Sequence, residues 1–105
     1  MAFKNCTSLT EIVIPPSVTS IDDCAFYGCI SLKEIIIPPS VTSIGDSTFY
    51  GCTSFVKINI PSSVREIGKL AFKECSSLIS ISIPFLFTDL KRIGVSKQIV
   101  QVKYH

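Results

Sequence analysis

Residues 26–45 read FYGCISLKEIIIPPSVTSIG, and residues 46–68 follow directly as DSTFYGCTSFVKINIPSSVREIG. At an offset of 23, residues 49–68 match residues 26–45 at 12 of 20 positions. The same offset separates four phenylalanines, Phe3, Phe26, Phe49 and Phe72, and four cysteines, Cys6, Cys29, Cys52 and Cys75. A fixed period of this length predicts a solenoid, in which each repeat forms one circuit and stacks on the previous one.

The full repeat can be written L-x-x-I-x-I-P-x-x-V-x-x-I-x-x-x-A-F-x-x-C-x-S. The alternation over Ile12, Val13 and Ile14 predicts a strand with both isoleucines facing inward and Val13 facing outward. Pro15 must end that strand, because proline has no N–H to donate to a ladder. The later V-x-x-I segment predicts a short second strand or extended turn on the opposite side of the circuit. Asp46 and its equivalents are predicted to cap a tight helical turn.

The period lies within the range of leucine-rich repeats, and L-x-x-I-x-I matches their strand signature. The I-P turn, the V-x-x-I-G half and the A-F-x-x-C close resemble the BspA-like leucine-rich repeats, a family common in surface proteins of bacteria and parasitic protists. The resemblance covers residues 1 to about 84. It implies a role in adhesion or surface interaction and a location at the cell surface or outside the cell.

We therefore expect a right-handed leucine-rich-repeat solenoid, mainly β, with short parallel strands and short helical or 3-10 turns. The prediction is a single domain over residues 1–105. Its parts are a partial coil (1–8), three full coils (coil 1, 9–31; coil 2, 32–54; coil 3, 55–77), a degenerate coil 4 (78–98) and a closing strand (99–105). In coil 4, LKRIG at 90–94 copies VREIG at 64–68 after an insertion of three residues.

Composition narrows the class of protein. With 47% hydrophobic and 17% charged residues, the chain is too apolar to be disordered. Its apolar runs are far shorter than the roughly 20 residues of a membrane span. Neither a membrane span nor an N-terminal signal peptide is predicted from this sequence. Net charge is +2 and the basic residues are scattered, so neither nucleic-acid binding nor membrane insertion is predicted.

The recurring cysteine allows three functional interpretations: a metal site, disulfides or catalysis. No C-x-x-C occurs and the only histidine is His105, which argues against a metal centre and a Cys–His pair. Disulfides between neighbouring coils are permitted by distance, but parallel side chains would strain the bond torsion. The favoured interpretation is four reduced thiols that fill the same small buried slot in successive coils. Cys24 lies outside this column and is the candidate accessible thiol. Free thiols suit a reducing cytosol, so a cytoplasmic location stays open beside the cell surface.

No catalytic residue and no cofactor are predicted. The chain offers no set of nucleophile, base and orienting group. The adjacent Asp22 and Asp23 are interpreted as a cap before a turn, and Gly45 and Gly68 as turn glycines. The phenylalanine column is interpreted as core rather than as a platform for an aromatic ligand.

Function is expected on the outward side of the first strand of each coil, where repeat proteins bind their partners. The candidate partner-binding residues are Glu11, Val13, Lys33, Glu34, Ile36, Lys57 and Asn59. The prediction is a protein–protein interaction module without cofactor. Two alternatives stay open: a homo-oligomer formed through the unpaired upstream edge of strand 9–14, or a fragment of a longer surface array.

Overall fold

The computed structural model describes residues 4–87, 89–95 and 101–105. This part of the chain forms eight short strands: β1 Glu11–Val13, β2 Ser20–Ile21, β3 Glu34–Ile36, β4 Ser43–Ile44, β5 Lys57–Asn59, β6 Glu66–Ile67, β7 Ser80–Ile83 and β8 Gln101–Tyr104. Every strand pairing is parallel, in the orders β1-β3, β2-β4-β6 and β5-β7-β8. The expected leucine-rich-repeat solenoid is confirmed, with about four turns.

The register follows the sequence repeat. Ile12 pairs with Ile35 and Ile44 with Ile67, each 23 residues on. In coil 4 the sequence lacks the A-F-x-x-C segment after Gly94, which removes more residues than the earlier insertion adds. The offset is therefore shorter there, and Ile81 pairs with Val102 of β8. β8 lies within the predicted closing strand 99–105, and Ile99, predicted to open it, lies outside the described residues.

The segments between strands are turns rather than helices. They are closed by hydrogen bonds from an N–H to the carbonyl three residues earlier, as from Tyr27 to Cys24 at 3.2 Å. Each segment also bonds to the next coil, as from the Phe49 N–H to the Ala71 carbonyl at 2.9 Å. The second strands predicted from V-x-x-I are present as β2, β4 and β6.

Between coils 2 and 3 the first-strand sheet is interrupted. No ladder joins β3 to β5, whereas β2, β4 and β6 form one continuous sheet on the other side of the solenoid. Coil 3 carries Phe55 where coils 1, 2 and 4 carry Leu9, Leu32 and Leu78. Phe55 is fully buried just before β5, and its ring lies 5.3 Å from the ring of Phe49. The bulkier side chain at this position gives a physical reason for the separation of the two strands.

The phenylalanine column runs through the core. The ring centroids of Phe26 and Phe49 are 5.7 Å apart, and those of Phe49 and Phe72 are 5.6 Å apart, with nearly parallel planes in both pairs. Phe49 is fully buried. The column is therefore a continuous aromatic stack that joins three coils, and Phe3, its predicted first member, lies outside the described residues.

The aspartates before the turns act differently from the prediction. Asp23 was expected to cap its own turn, but its Oδ1 accepts a hydrogen bond from the Asp46 N–H of the next coil at 2.7 Å. The Oδ1 of Asp46 accepts from the Lys69 N–H at 2.8 Å in the same way. The cap prediction is wrong at these positions because the stacked coil presents an N–H directly to the carboxylate.

Gly45 and Gly68 are required by this close stacking. A Cβ on Gly68 would lie only 2.5 Å from the Gly45 carbonyl carbon, and a Cβ on Gly45 would lie 2.8 Å from that of Asp22. Neighbouring coils therefore touch backbone to backbone here. The two glycines are needed for this contact as well as for a turn.

We expect Phe49→Ala to lower the free energy of unfolding by about 3 to 5 kcal/mol, because it leaves a cavity between two stacked rings. Urea denaturation of dilute protein measures the loss. Phe85→Ala is the matched control, since it removes the same ring from a side chain that is 72% exposed. A loss below about 1 kcal/mol at Phe49 would show that the ring stack does not support the core.

Asp46→Ala should cost about 1 to 2 kcal/mol of unfolding free energy, because the Lys69 N–H then loses a charged acceptor. Asp22→Ala is the control, because Asp22 lies next to Asp23 in the equivalent exposed loop of coil 1. Its free energy of unfolding should stay within about 0.5 kcal/mol of wild type. Equal losses for both variants would show that general charge effects, rather than the hydrogen bond between coils, determine stability at these loops.

Candidate functional site

The strand face is the outward surface of β1, β3, β5 and β7 together with the residue that precedes each strand. The seven candidate residues all lie on it and are all exposed: Glu11 and Val13 on β1, Lys33 and Glu34 at the start of β3, Ile36 on β3, and Lys57 and Asn59 on β5. Val13 is 67% exposed and Ile36 54%. The alternation that predicted their outward direction therefore gave the correct register.

The first two coils place like residues side by side on this face. Glu11 lies opposite Glu34, and Val13 lies opposite Ile36. Like charges directly opposite each other destabilise a sheet by a few tenths of a kcal/mol or more. An exposed apolar pair beside them adds nothing to the buried core. Neither pair is explained by the stability of the fold.

A cleft of about 330 Å³ opens where β3 and β5 separate. On its outward side it is lined by Glu34, Ile36, Lys57, Asn59, Ser80 and Ser82. Four of the seven candidate residues thus surround one concavity, whereas Glu11, Val13 and Lys33 lie beside it. The cleft has an acidic residue, Glu34, and the exposed apolar Ile36 on the β3 side, and a basic residue, Lys57, on the β5 side.

Sequence reasoning missed two apolar residues of the strand face. Val56 is 47% exposed and Ile79 is 45% exposed, and they lie just before β5 and β7. The Ile79 N–H donates a hydrogen bond to the Val56 carbonyl at 2.9 Å, so the two residues lie side by side. The repeat pattern could have identified these two residues. Val56 follows Phe55 and Ile79 follows Leu78, and the candidate Lys33 stands at the same position after Leu32 in coil 2.

A second, larger concavity of about 760 Å³ lies along β2, β4 and β6. Its lining is mostly polar and includes Glu66, Arg65 and Arg92. Arg92 already donates from Nη1 to the Ile67 carbonyl at 2.9 Å, and the Asp23 and Asp46 carboxylates accept backbone N–H groups. These last three charged groups are therefore engaged in holding coils together. Across residues 4–87, 89–95 and 101–105, no cluster of three acidic, cysteine or histidine side chains is placed to hold a metal ion.

The structure brings Ser62 and His105 together, which the sequence did not indicate. Ser62 Oγ lies 2.9 Å from His105 Nδ1, with both residues on the surface. A serine nucleophile also needs a group that orients the histidine ring and donors for the oxyanion. The contacts found for the described residues give the ring no carboxylate, so the pair is a surface hydrogen bond at the end of β8.

All five cysteines are thiols. Cys29, Cys52 and Cys75 are buried, whereas Cys6 and Cys24 are partly exposed. The Cys52 thiol donates to the Phe26 carbonyl at 3.2 Å, and the Cys75 thiol donates to the Phe49 carbonyl at 3.1 Å. The column is thus a series of buried thiols hydrogen-bonded to the previous coil, a contact that packing arguments from sequence did not reveal.

Burial also sets the chemistry of these thiols. It raises the pKa of Cys29 and Cys52 above the ordinary value, and it raises the pKa of Cys75 to about 12. The thiolate is the reactive form of cysteine, both as nucleophile and as metal ligand. These three residues are therefore structural, and reactivity is expected at the partly exposed Cys6 and Cys24.

Helices that could span a bilayer are absent from the part of the chain that the structure describes.

Comparison with known proteins identifies the class. Residues 1–98 match the BspA type leucine rich repeat region, in six copies, and the chain belongs to this family. A leucine rich cell surface protein from Faecalibacterium prausnitzii is 41% identical over 76% of this chain, with a TM-score of 0.74. A leucine-rich repeat protein from Bacteroides ovatus is 26% identical over 98% of the chain, with a TM-score of 0.72.

A leucine rich repeat protein from T. pallidum is also similar, with 26% identity over 99% of this chain and a TM-score of 0.63. The chain spans 21% of the length of the F. prausnitzii protein, 32% of the B. ovatus protein and 60% of the T. pallidum protein. No curated protein matches the sequence. This repeat family and fold are typically non-enzymatic and suggest a protein-interaction or surface repeat role.

The buried thiols predict a pH dependence of stability. The pKa of Cys75 is raised on folding, so its contribution is complete below about pH 9 and is lost as the pH rises toward 12. Between about pH 8 and pH 10.5 wild type should lose about 2 kcal/mol more unfolding free energy than Cys75→Ala does, if the thiol ionises only on unfolding. The sign follows because the unfolded chain releases the thiol proton first, so rising pH favours unfolding. Urea denaturation in reductant at the two pH values measures this difference.

Cys24→Ala is the matched control for this comparison, because Cys24 is partly exposed. Its pH dependence should follow that of wild type. If Cys75→Ala loses as much stability as wild type on raising the pH, the thiol of Cys75 ionises freely in the folded protein and the burial argument fails.

Proposed function

We propose that the chain is a protein-binding module that docks its partner on the strand face, around the cleft between β3 and β5. The proposal depends on one observation: four exposed residues chosen from the sequence repeat surround the place where the first-strand sheet is interrupted. No catalytic residue or cofactor is part of this proposal.

The cleft favours a partner segment with an apolar side chain between polar groups. Ile36 is more than half exposed and offers apolar surface to bury. Glu34 and Lys57 on opposite strands carry opposite charges, which would fix the orientation of a bound segment more than its affinity. Asn59 supplies both a donor and an acceptor for the backbone of the partner.

The relatives support a location for this function. The protein from F. prausnitzii is named a cell surface protein, and the chain shares 41% identity with it over the matched region. We propose that this repeat region also acts at the cell surface or outside the cell, as a short array or as part of a longer one. Adhesion is the more specific form of the proposal and follows from family resemblance alone.

Peptide selection tests the proposed site. A random peptide library displayed on phage is selected against wild-type protein, and the peptides obtained are titrated by fluorescence anisotropy. We expect Ile36→Asn and Glu34→Lys to weaken binding roughly tenfold or more, equivalent to about 1.4 kcal/mol. Ile30→Asn is the matched control, because Ile30 is 49% exposed but lies in a turn outside the strand face, and it should bind like wild type.

Two results would count against the strand face. Peptides that bind Ile36→Asn as tightly as wild type would place the binding surface elsewhere. Equal weakening by Ile36→Asn and Ile30→Asn would indicate non-specific apolar adsorption. Thermal melts of each variant establish that the fold is retained.

Self-association through the upstream edge of β1 is the second candidate function. It is favoured by an apolar pocket of about 420 Å³ next to that edge. β1 pairs with β3 on one side and has no other partner strand within the described residues.

A further inference from the structure

The charge on the strand face changes sign along the axis of the solenoid. Glu11 and Glu34 lie directly opposite each other on β1 and β3, and Lys57 stands one repeat after Glu34 on β5. All three side chains are exposed. Within the described part of the chain, neither they nor the neighbouring Lys33 take part in an ion pair. Two adjacent carboxylates followed by one ammonium group are therefore open to a ligand from solvent.

The coil 1 and coil 2 part of this surface fits an arginine side chain. Val13 and Ile36 lie opposite each other, two residues beyond Glu11 and Glu34 on the same strands, and both are more than half exposed. A guanidinium group has enough donors for both carboxylates, and its apolar stem can cover the valine and the isoleucine. Lysine has only a compact ammonium group, so arginine matches better. A bound arginine would compensate the like-charged pair that the stability of the fold leaves unexplained.

Lys57 fits an acidic side chain of the same segment at a definite spacing. Because neighbouring strands are about 4.8 Å apart, Lys57 lies at least about 7 Å along the axis from the midpoint of Glu11 and Glu34. An extended peptide rises about 3.3 Å per residue, so side chains two positions apart point to one side and are about 7 Å apart. Side chains one or three positions apart point to opposite sides.

We propose that the partner of the strand face is an extended protein segment with an arginine and an acidic residue two positions apart. The segment lies along the axis of the solenoid, with its arginine over Glu11 and Glu34 and its acidic residue at Lys57. Either order of the two residues fits, because the segment can run in either direction. This inference rests on the proposed function and adds the sequence class of the partner. Charge matching of this kind determines specificity more than affinity.

Selection from a random peptide library on phage tests the spacing without assuming a sequence. Peptides enriched on wild-type protein at low salt should carry arginine two positions from aspartate or glutamate more often than the unselected library does. Separations of one and three positions should not be enriched. Equal enrichment of all three separations would overturn the proposal, because it would indicate attraction by net charge alone.

Synthetic peptides of identical composition provide the matched comparison. They carry one arginine and one aspartate at a separation of one, two or three positions, and their binding to wild-type protein is measured by fluorescence anisotropy at low salt. The peptide with a separation of two should bind roughly fivefold or more tighter than the other two. Equal affinities would contradict the proposed register of the segment on the strand face.

Charge reversal at Lys57 tests which residue meets the acidic side chain. Lys57→Glu should weaken binding of the arginine–aspartate peptide roughly tenfold. It should also bind the peptide with arginine in place of aspartate more tightly than wild type does. Lys57→Gln should lose the preference for aspartate without gaining one for arginine, and it serves if Lys57→Glu lowers the melting temperature. Glu66→Gln, on the exposed side of β6, is the control and should bind like wild type.

The results separate this inference from the strand-face proposal. A preference for aspartate that survives in Lys57→Glu would overturn the inference alone. Selected peptides that lack the charged pair but are weakened by Ile36→Asn would also overturn it, and they would leave the strand face as the binding surface. Peptides that bind Ile36→Asn as tightly as wild type would count against both.

Discussion

The structure depends on the stacking of each coil on a copy of itself, at about the 4.8 Å spacing of neighbouring strands. A side chain that points inward must pack against the equivalent side chain of the coils above and below. Phe49 meets this condition between Phe26 and Phe72, with ring planes within 10° of parallel in both contacts. A residue of another size in such a column disturbs the stack, and Phe55 in a leucine column directly precedes the interruption of the first-strand sheet.

The same stacking determines how polar groups are satisfied. Turns leave backbone groups without partners inside their own coil, and burying such a group unpaired is costly. The neighbouring coil supplies the partner, as Asp46 does for the Lys69 N–H. It also adds a second donor to carbonyls that are already bonded, since the Phe49 carbonyl accepts both the Cys52 N–H of its own coil and the Cys75 thiol of the next. Aspartate and cysteine therefore recur for reasons that belong to the space between coils.

Outward side chains do not have to pack against the equivalent side chains of neighbouring coils. These positions can therefore vary, and function is expected there. The outward columns change from Glu11 and Glu34 to Lys57, whereas the inward isoleucines repeat without change over the first four strands of the pattern. The outward surface of the coils is thus the part of the molecule where residues can change without loss of the core, and the strand-face site lies on it.

The sequence by itself determined the repeat, the parallel strands and the inward and outward columns. Period and alternation act within one coil, and the outward direction of Val13 and Ile36 followed from them alone. Only the tertiary structure decided what happens between coils: the aspartate that bonds to the next coil, the thiol that donates to the previous one, and the cleft between β3 and β5. These contacts join residues 23 to 26 positions apart through space, and a pattern read along the chain does not contain the distance between two stacked backbones.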